Sequence, residues 1–350
     1  MIEVFMYQAE CGNAARIRFM GTDEKIHNVF VDGGVEPTYN HVLKDQIAEI
    51  ISNQEDIDLF IVTHIHDDHI GGAISYLNDI SEGITTDVVK SWYYNPPRFT
   101  DQQTRSIAQG DQLFEYVTNL GTSQKGDITN ETEQQNFFGL KINFLSPNAE
   151  KLILLRQKYL SDIPFETREL LPPIVDERYD YHILIEDFKL DKWREDRSVE
   201  NGSSIAMITE YNNLRILWLA DSHPTVVVAS LRKLGFSKEN PLVCDWVKVT
   251  HHGSKANNNN ELYDLIRCDN YILSVDGENK HRLPTKECIA RILRNSNRPT
   301  NSHYHLLFTY DHPVLKSIFN ADGPQVFEKW NFTPHFLSEG KWISIVKEDV

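Results

Sequence analysis

Long apolar runs and a surplus of positive charge are both absent from this sequence of 350 residues. No stretch approaches the roughly 18 uninterrupted apolar residues that a membrane helix requires, so we expect no membrane as a partner. Acidic residues number 51 and basic residues 35, which gives a formal net charge of −16. This balance opposes attraction of the whole molecule to nucleic acid, because such binding depends on neutralising phosphates. A local basic patch could still provide it.

Cysteine is also scarce. The four cysteines lie far apart in the chain and form no CxxC pair: Cys11, Cys244, Cys268 and Cys288. The first residues, MIEVFMYQAECG, contain no basic region followed by an apolar one, so we expect no secretory signal. Together these features predict a reduced, cytoplasmic protein.

Short apolar runs alternate with segments of helical spacing through most of the chain. VFMYQ, ARIRFM and IHNVFVDGG are typical of strands, and residues 41–52 place apolar side chains at helical intervals. DLFIVTH has the pattern of a buried strand with polar residues at its end. Strands that alternate with helices predict an α/β or layered αββα fold.

This alternation stops between residues 148 and 200. After a helical stretch the segment becomes highly charged and contains Pro172 and Pro173. We interpret 148–200 as an insertion over one face, either a lid or a plain surface excursion. Residues 300–350 are predicted to add helices and strands as a C-terminal extension. The sequence therefore predicts a single domain over 1–350.

The densest group of potential metal ligands is in VTHIHDDHIGG, residues 62–72. His64 and His66 are two positions apart at the end of an extended run, so they face the same way. Asp68 and His69 fall at the start of the next helix and suit a second ion nearby. Zn²⁺ and Mn²⁺ accept neutral imidazole and carboxylate as ligands. A polar loop with chance histidines is the alternative, and the spacing disfavours it.

Later strand ends offer further ligands. Asp221 follows the apolar run ILWLA, and a carboxylate there could bridge two ions. VKVTHHGS ends another strand, where alternation favours His251 over His252 as the inward-facing histidine. His223 is a possible substitute ligand, although a surface position is the simpler interpretation. His182 is expected at a strand edge.

The constellation resembles the metallo-β-lactamase superfamily, whose signature is HxHxDH followed by further His and Asp ligands. Several segments are similar to the lactamase-like domain of ComEC-type DNA-uptake proteins: FVDGG (30–34), GLKINFLSP (139–147), NGSSIA (201–206), LWLAD (217–221), VTHHGSK (249–255) and SVDGENKHRLP (274–284). The chain departs from that pattern at Cys11 and Asn13, which replace a Gln and an Asp. Asn201 stands where many superfamily hydrolases have a third histidine.

The resemblance implies a four-layer αββα sandwich with a charged insertion at about 148–200 and a dinuclear site for Zn²⁺ or Mn²⁺. The expected metal ligands are His64, His66, Asp68, His69, Asp221 and His251, with Asn201 and His252 as weaker candidates. Asp32 either holds a ligand histidine in place or caps the turn at Gly33 and Gly34. The expected catalytic residues are Asp68, Ser254, Lys255 and His281, the last three of which are equally compatible with ordinary surface positions.

Three functions remain open at this stage. The resemblance to ComEC favours a metal-dependent phosphodiesterase and, within that class, a nuclease that acts on DNA or RNA. The superfamily also permits a hydrolase of small esters, thioesters or lactones. A binding module whose site has decayed is the third, because the third histidine is absent. The basic stretch Lys280–Arg298 is either the solvated side of a helix or a surface that meets a phosphodiester near the metals.

Overall fold

Two stacked β-sheets with helices on both outer faces form the computed structural model, which describes residues 1–97, 105–160 and 179–348. The strands are β1 (Ile2–Tyr7), β2 (Ala14–Met20), β3 (Ile26–Gly33), β4 (Leu59–Ile61), β5 (Ser91–Tyr93), β6 (Ser123–Lys125), β7 (Gln135–Phe137), β8 (Leu140–Ser146), β9 (Ala206–Tyr211), β10 (Leu214–Trp218), β11 (Leu242–Val243), β12 (Trp246–Lys248), β13 (Ile266–Arg267), β14 (Asn270–Leu273), β15 (Tyr304–Phe308), β16 (Phe332–Phe336) and β17 (Trp342–Lys347). The α-helices are α1 (Glu36–Thr38), α2 (Lys44–Ser52), α3 (Asp67–Ser81), α4 (Arg105–Leu120), α5 (Ala149–Leu160), α6 (Val199–Gly202), α7 (Pro224–Lys233), α8 (Asn260–Asp264), α9 (Lys286–Leu293), α10 (Pro313–Lys316) and α11 (Val326–Lys329), and a π-helical turn (Tyr39–Leu43) joins α1 to α2.

Within the described ranges, the first sheet has the strand order β17-β1-β2-β3-β4-β5-β6 and the second has the order β16-β15-β14-β12-β10-β9-β8-β7. Strand β17 pairs antiparallel with β1, so the end of the chain closes onto its beginning. Strands β15 and β16 extend the second sheet. The C-terminal region thus supplies strands to both sheets.

Three apolar layers hold the sandwich together. Val29 and Val31 of β3 face the second sheet, whereas Phe30 between them packs with the helices on the outer face. This is the two-residue period of a strand, and it explains why IHNVFV is apolar at consecutive positions: both faces are buried. On the other side, Val247 of β12 and Leu231 of α7 belong to a third cluster, between the second sheet and its helices. The predicted αββα sandwich is confirmed.

The parallel strands place their carboxyl ends at one edge of the sandwich. Strands β3, β4 and β5 run parallel in the first sheet, and β10, β12 and β14 run parallel in the second. Ligands of α/β proteins commonly bind at the carboxyl ends of such strands. The chain leaves β4 toward His64, leaves β10 toward Asp221 and leaves β12 toward His251, so all three predicted ligand segments meet at this edge.

A close approach of glycine backbones sets the position of α3 on the first sheet. A Cβ added at Gly72 would lie 2.1 Å from the carbonyl oxygen of Gly33. The helix begins at Asp67, directly after His66 in an extended conformation. Asp67 and Asp68 in the first turn are favourable at the positive end of the helix dipole. The helix start is therefore pressed against the end of β3, which carries Asp32.

The interpretation of Lys280–Arg298 as the solvated side of a helix is wrong. Lys286 and Arg291 on α9 are buried, at 0% and 1% exposure. The Lys286 ammonium donates to the carbonyl of Tyr181 and pairs with Asp322 at 2.5 Å, and the Arg291 guanidinium donates to the carbonyls of Leu190 and Lys192. Residues 180–192 therefore pack over α9, which the periodicity of the sequence does not indicate.

Part of the predicted insertion 148–200 can be described. It contains α5 and, after residues 161–178, which lie outside the described residues, two short 3-10 turns at Asp180–His182 and Ile185–Asp187. The expected strand edge at His182 is therefore wrong. None of the helices in the described part of the chain is long and apolar enough to cross a membrane.

Candidate metal centre

The segment between β4 and α3 brings its histidines together. His64 is buried at 2% exposure and His69 at 0%, and their ring centroids are 4.1 Å apart. The ring of His66 lies 4.8 Å from that of His64. The carboxylate of Asp68 lies 3.8 Å from Nε2 of His69. The spacing HxHxDH thus gathers all four predicted side chains at the N-terminus of α3.

Asp221 lies at the centre of four imidazole rings. Its Oδ1 is 3.4 Å from Nε2 of His69, and its Oδ2 lies 3.5 Å from Nε2 of His251. His252 and His64 approach the same Oδ2 at 3.8 Å and 3.9 Å. The residue is 1% exposed, and neither carboxylate oxygen has a hydrogen-bond partner in the described part of the structure. A buried carboxylate without partners is costly unless a cation satisfies it.

Hydrogen bonds at Nδ1 fix how three of these histidines present their other nitrogen. Nδ1 of His69 lies 2.7 Å from Oδ2 of Asp32, Nδ1 of His252 lies 2.8 Å from the carbonyl of Ser274, and Nδ1 of His251 lies 2.7 Å from Oδ1 of Asn257. Each partner is an acceptor in this assignment, so each Nδ1 carries the proton. Each Nε2 then faces Asp221, which is the orientation that metal-binding histidines adopt.

Four residues provide donors compact enough for one ion. One ligand atom from each of Asp68, His69, Asp221 and His252 lies within 4.8 Å of the others. Nε2 of His69 and both oxygens of Asp221 are buried without a hydrogen-bond partner among the described residues. Two imidazoles and two carboxylates form a donor set that Zn²⁺ and Mn²⁺ accept. The residues present therefore fit a divalent metal ion.

Electrostatics favour the metal-binding form of Asp221, His64 and His252, whereas at His69 burial is outweighed by Asp32, Asp221 and Asp68, which hold its pKa well above the usual value. Burial raises the pKa of Asp221, but His251, His69 and His252 outweigh it and hold that pKa well below its usual value. Burial, with the neighbouring His69 and His66, lowers the pKa of His64 well below its usual value. Burial also lowers the pKa of His252. A charged Asp221 and neutral His64 and His252 are the ligand-competent states.

Further donors lie near the compact cluster: Nε2 of His251 and of His64 lie 3.5 Å and 3.9 Å from Oδ2 of Asp221, and the ring of His66 lies 4.8 Å from that of His64. His64, His66 and His251 supply imidazoles, and the side-chain oxygen of Asn201 is buried without a partner in the described ranges. The amide nitrogen of Asn201 donates to Oδ2 of Asp196 at 2.6 Å and lies 3.4 Å from Nδ1 of His251. This leaves the oxygen of Asn201 free to accept or to coordinate.

The alternation argument that preferred His251 over His252 is wrong. Both residues have positive φ values, 46° and 52°, so the strand period ends before them. His252 is the more buried of the two side chains, at 2% against 21%. The turn directs both rings at Asp221, and His252 also lies 3.2 Å from Oδ2 of Asp68.

The remaining predicted catalytic residues lie around this cluster rather than in it. The Ser254 hydroxyl is buried and accepts a hydrogen bond from the backbone of Ala256. The carbonyl of Lys255 accepts a hydrogen bond from the Trp193 indole. His281 is exposed, and the charges that act on it include Asp68, His251 and His252. These roles stay predictions.

Sequence reasoning missed several residues that orient the ligands. Asn257 and Ser274 hold the two histidines of the HHGS motif from behind. Asn13 places its amide 3.5 Å from Nδ1 of His69 and its backbone N–H donates to the carbonyl of Asp68. The position of Asn257 inside an Asn run, directly after the motif, was the one available signal.

Asp32→Asn tests how strongly this support matters. The Asp32 carboxylate accepts from the backbone and hydroxyl of Thr63 at 2.7 Å and 2.9 Å as well as from His69. An amide keeps one acceptor but loses the charge that stabilises the Nδ1–H tautomer. We expect the affinity for Zn²⁺ or Mn²⁺ to fall by roughly 10–100-fold.

Titration calorimetry measures that loss, and ¹⁵N chemical shifts of the His69 ring report its tautomer. Asp56→Asn, on the surface, is the matched control and should leave both unchanged. If Asp32→Asn binds metal as tightly as the wild type, Asp32 acts only in the turn at Gly33 and Gly34.

Comparison with protein families gives a match to part of the chain. Residues 26–125 match the family model described as the metallo-beta-lactamase superfamily, and this stretch contains Asp32 and the whole HxHxDH motif. The superfamily resemblance of the sequence is thereby confirmed. The narrower resemblance to ComEC-type domains stays a prediction. No curated protein matches the chain.

Solved structures give further similarities at low sequence identity. Zinc-bound PqqB from Methylobacterium extorquens is similar with a TM-score of 0.45 and 9% identity, over 99% of this chain and 100% of that one. A mutant of the CmlA beta-hydroxylase gives a TM-score of 0.44 and 14% identity over 98% of this chain. The match covers 53% of that protein, so this chain spans about half its length. A diphosphatase from the PhnP family gives 0.36 and 11% identity, over 81% of this chain and 89% of that one.

Proposed function

We propose that this protein is a metal-dependent hydrolase that holds two divalent ions and cleaves phosphodiester bonds in DNA or RNA. The Asp221 carboxylate carries the proposal. It is buried, it has no hydrogen-bond partner among the described residues, and the Nε2 atoms of four histidines lie within 3.9 Å of it. Such a carboxylate is suited to bridge two cations.

The donors divide into two sets that share Asp221. Asp68, His69 and His252 would hold one ion with it, since their ligand atoms already lie within 4.8 Å of one another. His64, His66 and His251 would hold the other ion, with Asn201 as an oxygen donor. His251 then supplies the imidazole that the absent third histidine motif would give. An Asn oxygen in this set shifts the preference toward Mn²⁺.

Divalent ions bound there would supply an activated water and would neutralise charge on a phosphate group. The residues of the chain have the complementary tasks. Asp32, Asn257 and Ser274 hold the Nδ1 protons of the ligand histidines, so that each ring keeps one orientation. The backbone N–H of Asn13 donates to the carbonyl of Asp68, and a Cβ added at Gly12 would lie 2.2 Å from the same oxygen, so the loop of residues 9–13 lies directly against the start of α3.

Basic side chains near the centre favour an anionic substrate. Lys280 and His281 are exposed on the loop after β14, and the Arg282 guanidinium lies 5.1 Å from the ring centroid of Tyr179. The Tyr179 hydroxyl donates to the carbonyl of Gly277 at 2.8 Å, which ties that ring to the same loop. A held guanidinium is well suited to contact a phosphate oxygen. Asp276 and Glu278 on the same loop equal Lys280 and Arg282 in number, so the loop offers an anionic substrate individual positive contacts and no net positive charge.

A substrate panel tests the proposal directly. Purified protein is incubated with Mn²⁺ or Zn²⁺ and with single-stranded DNA, duplex DNA, RNA, bis(p-nitrophenyl) phosphate, a thioester and a lactone. We expect cleavage of one or more phosphodiesters and no cleavage by Asp221→Asn protein purified in parallel. Turnover of the thioester or lactone alone would replace this function with small-molecule hydrolysis. Fewer than one bound ion per chain, with no rescue by Mn²⁺, would indicate a decayed site.

A further inference from the structure

Lys248 is a buried cation at the end of the strand that leads to His251 and His252. It is the last residue of β12, three positions before His251, and its neighbours across the sheet are Trp218 and Ile272. It has the parity of Trp246, which packs into the layer between the two sheets, whereas Val247 and Val249 face the outer helices. Its side chain is 2% exposed.

This lysine differs from the other buried cations of the described chain. The Arg16 guanidinium donates to Asn28 and Gln46, the Lys286 ammonium to Tyr181, and the Arg291 guanidinium to several carbonyls. The ammonium of Lys248 has no hydrogen-bond partner in the part of the chain that the structure describes. Burying an unpaired ammonium costs several kcal/mol, so ordinary packing does not explain this residue.

The carboxylates that act electrostatically on Lys248 belong to the proposed metal centre. Burial lowers its pKa to about 8, and Asp221, Asp32 and Asp68 oppose that shift, with Asp221 the strongest of the three. These are the proposed bridging ligand, the support of His69 and a ligand of the compact cluster. The lysine therefore lies in the field of the same carboxylates that would receive the metal ions.

We propose that Lys248 is the counter-charge of the centre: it compensates the buried carboxylates in the metal-free protein and thereby limits the affinity for divalent ions. This inference rests on the metal centre proposed above. The ammonium and a divalent ion are like charges in a site of low dielectric, so each disfavours the other. Lys248 thus acts through Asp221, Asp32 and Asp68 and is a positioning residue rather than a catalytic one.

Lys248→Met removes the charge and keeps an unbranched side chain of similar length. We expect its affinity for Mn²⁺, measured by calorimetry on metal-stripped protein, to rise by at least about tenfold over the wild type. The rise in thermal midpoint on addition of Mn²⁺ should be larger in the variant than in the wild type, because the metal-free variant has lost the compensating charge. A purely structural lysine would give the opposite change in affinity, because damage to β12 displaces His251 and His252.

Val247→Ala is the matched control, since it disturbs the same strand on its opposite face without altering charge. It should lower the thermal midpoint equally with and without Mn²⁺ and leave the affinity unchanged. Equal Mn²⁺ affinity in Lys248→Met and wild type would overturn the inference while leaving the metal centre intact. A wild type that binds no Mn²⁺ or Zn²⁺ would instead refute the centre itself.

Lys248→Gln provides a second neutral variant. If neither variant folds without metal but both fold with Mn²⁺, the counter-charge role is supported, because the uncompensated carboxylates then need the ion. If neither variant folds in either condition, Lys248 is required for the fold and the proposal is wrong.

Discussion

Asp221→Asn should empty the centre of both ions. The amide has nearly the same shape as the carboxylate but no charge, and Asp221 is the residue that both donor sets would share. We expect bound metal to fall from two ions to fewer than one per chain, and phosphodiester cleavage to fall by at least about 10³-fold, because the bound ions supply several kcal/mol of transition-state stabilisation.

Metal analysis by mass spectrometry and initial rates on bis(p-nitrophenyl) phosphate measure these two losses. Stability provides a third measurement. An ion present at a hundredfold excess over its Kd stabilises a folded protein by about 2.7 kcal/mol. The thermal midpoint of the wild type should therefore rise on addition of Mn²⁺, whereas that of Asp221→Asn should stay constant. Full metal content in the variant would show that Asp221 does not bridge the ions.

The HxHxDH motif, Asp221 and the paired histidines were predictable from the sequence because each follows a short apolar run. A buried strand is recognisable by consecutive apolar residues, and polar residues directly after it mark the carboxyl end of a parallel strand. That three such strand ends lie together could be seen only in the fold, because no local sequence pattern indicates which strands are neighbours in a sheet. The layered fold followed from the same alternation together with the family resemblance.

The argument from strand alternation for His251 failed for a local reason. Alternation assumes extended backbone, and both residues have left-handed φ values that the sequence HHG does not reveal. The prediction of a solvated face on α9 failed for a different reason. Lys286 and Arg291 have the composition of a solvated face, and their burial depends on residues 180–192, which are more than 90 positions away in the chain.

Lys248 shows a third kind of limit. A single lysine inside DWVKVT has no periodic signature, and lysines at strand ends are commonly exposed. Its significance depends on the absence of any partner in the described structure and on three carboxylates from distant parts of the chain. Such a property belongs to the assembled site, so it can be found only after the strands have been placed.

Asp68→Asn should remove one ion and leave the other. Asp68 lies 3.2 Å from Nε2 of His252 and 3.8 Å from Nε2 of His69, within the cluster of four residues. Burial raises the pKa of its carboxyl, but His69 and His252 outweigh this and hold the pKa far below its usual value, so the wild-type ligand is charged. Without that charge we expect one bound ion per chain and at least about a hundredfold lower rate of phosphodiester cleavage.

Asp67→Asn is the matched control for this change. It removes the same charge from the same helical turn, but the Asp67 carboxylate accepts from Gln109 at 2.6 Å and does not belong to the cluster. We expect two ions per chain and a rate close to that of the wild type. Equal losses in both variants would mean that charge at the start of α3 matters rather than coordination by Asp68. Retained activity in Asp68→Asn would require a different set of ligands around Asp221.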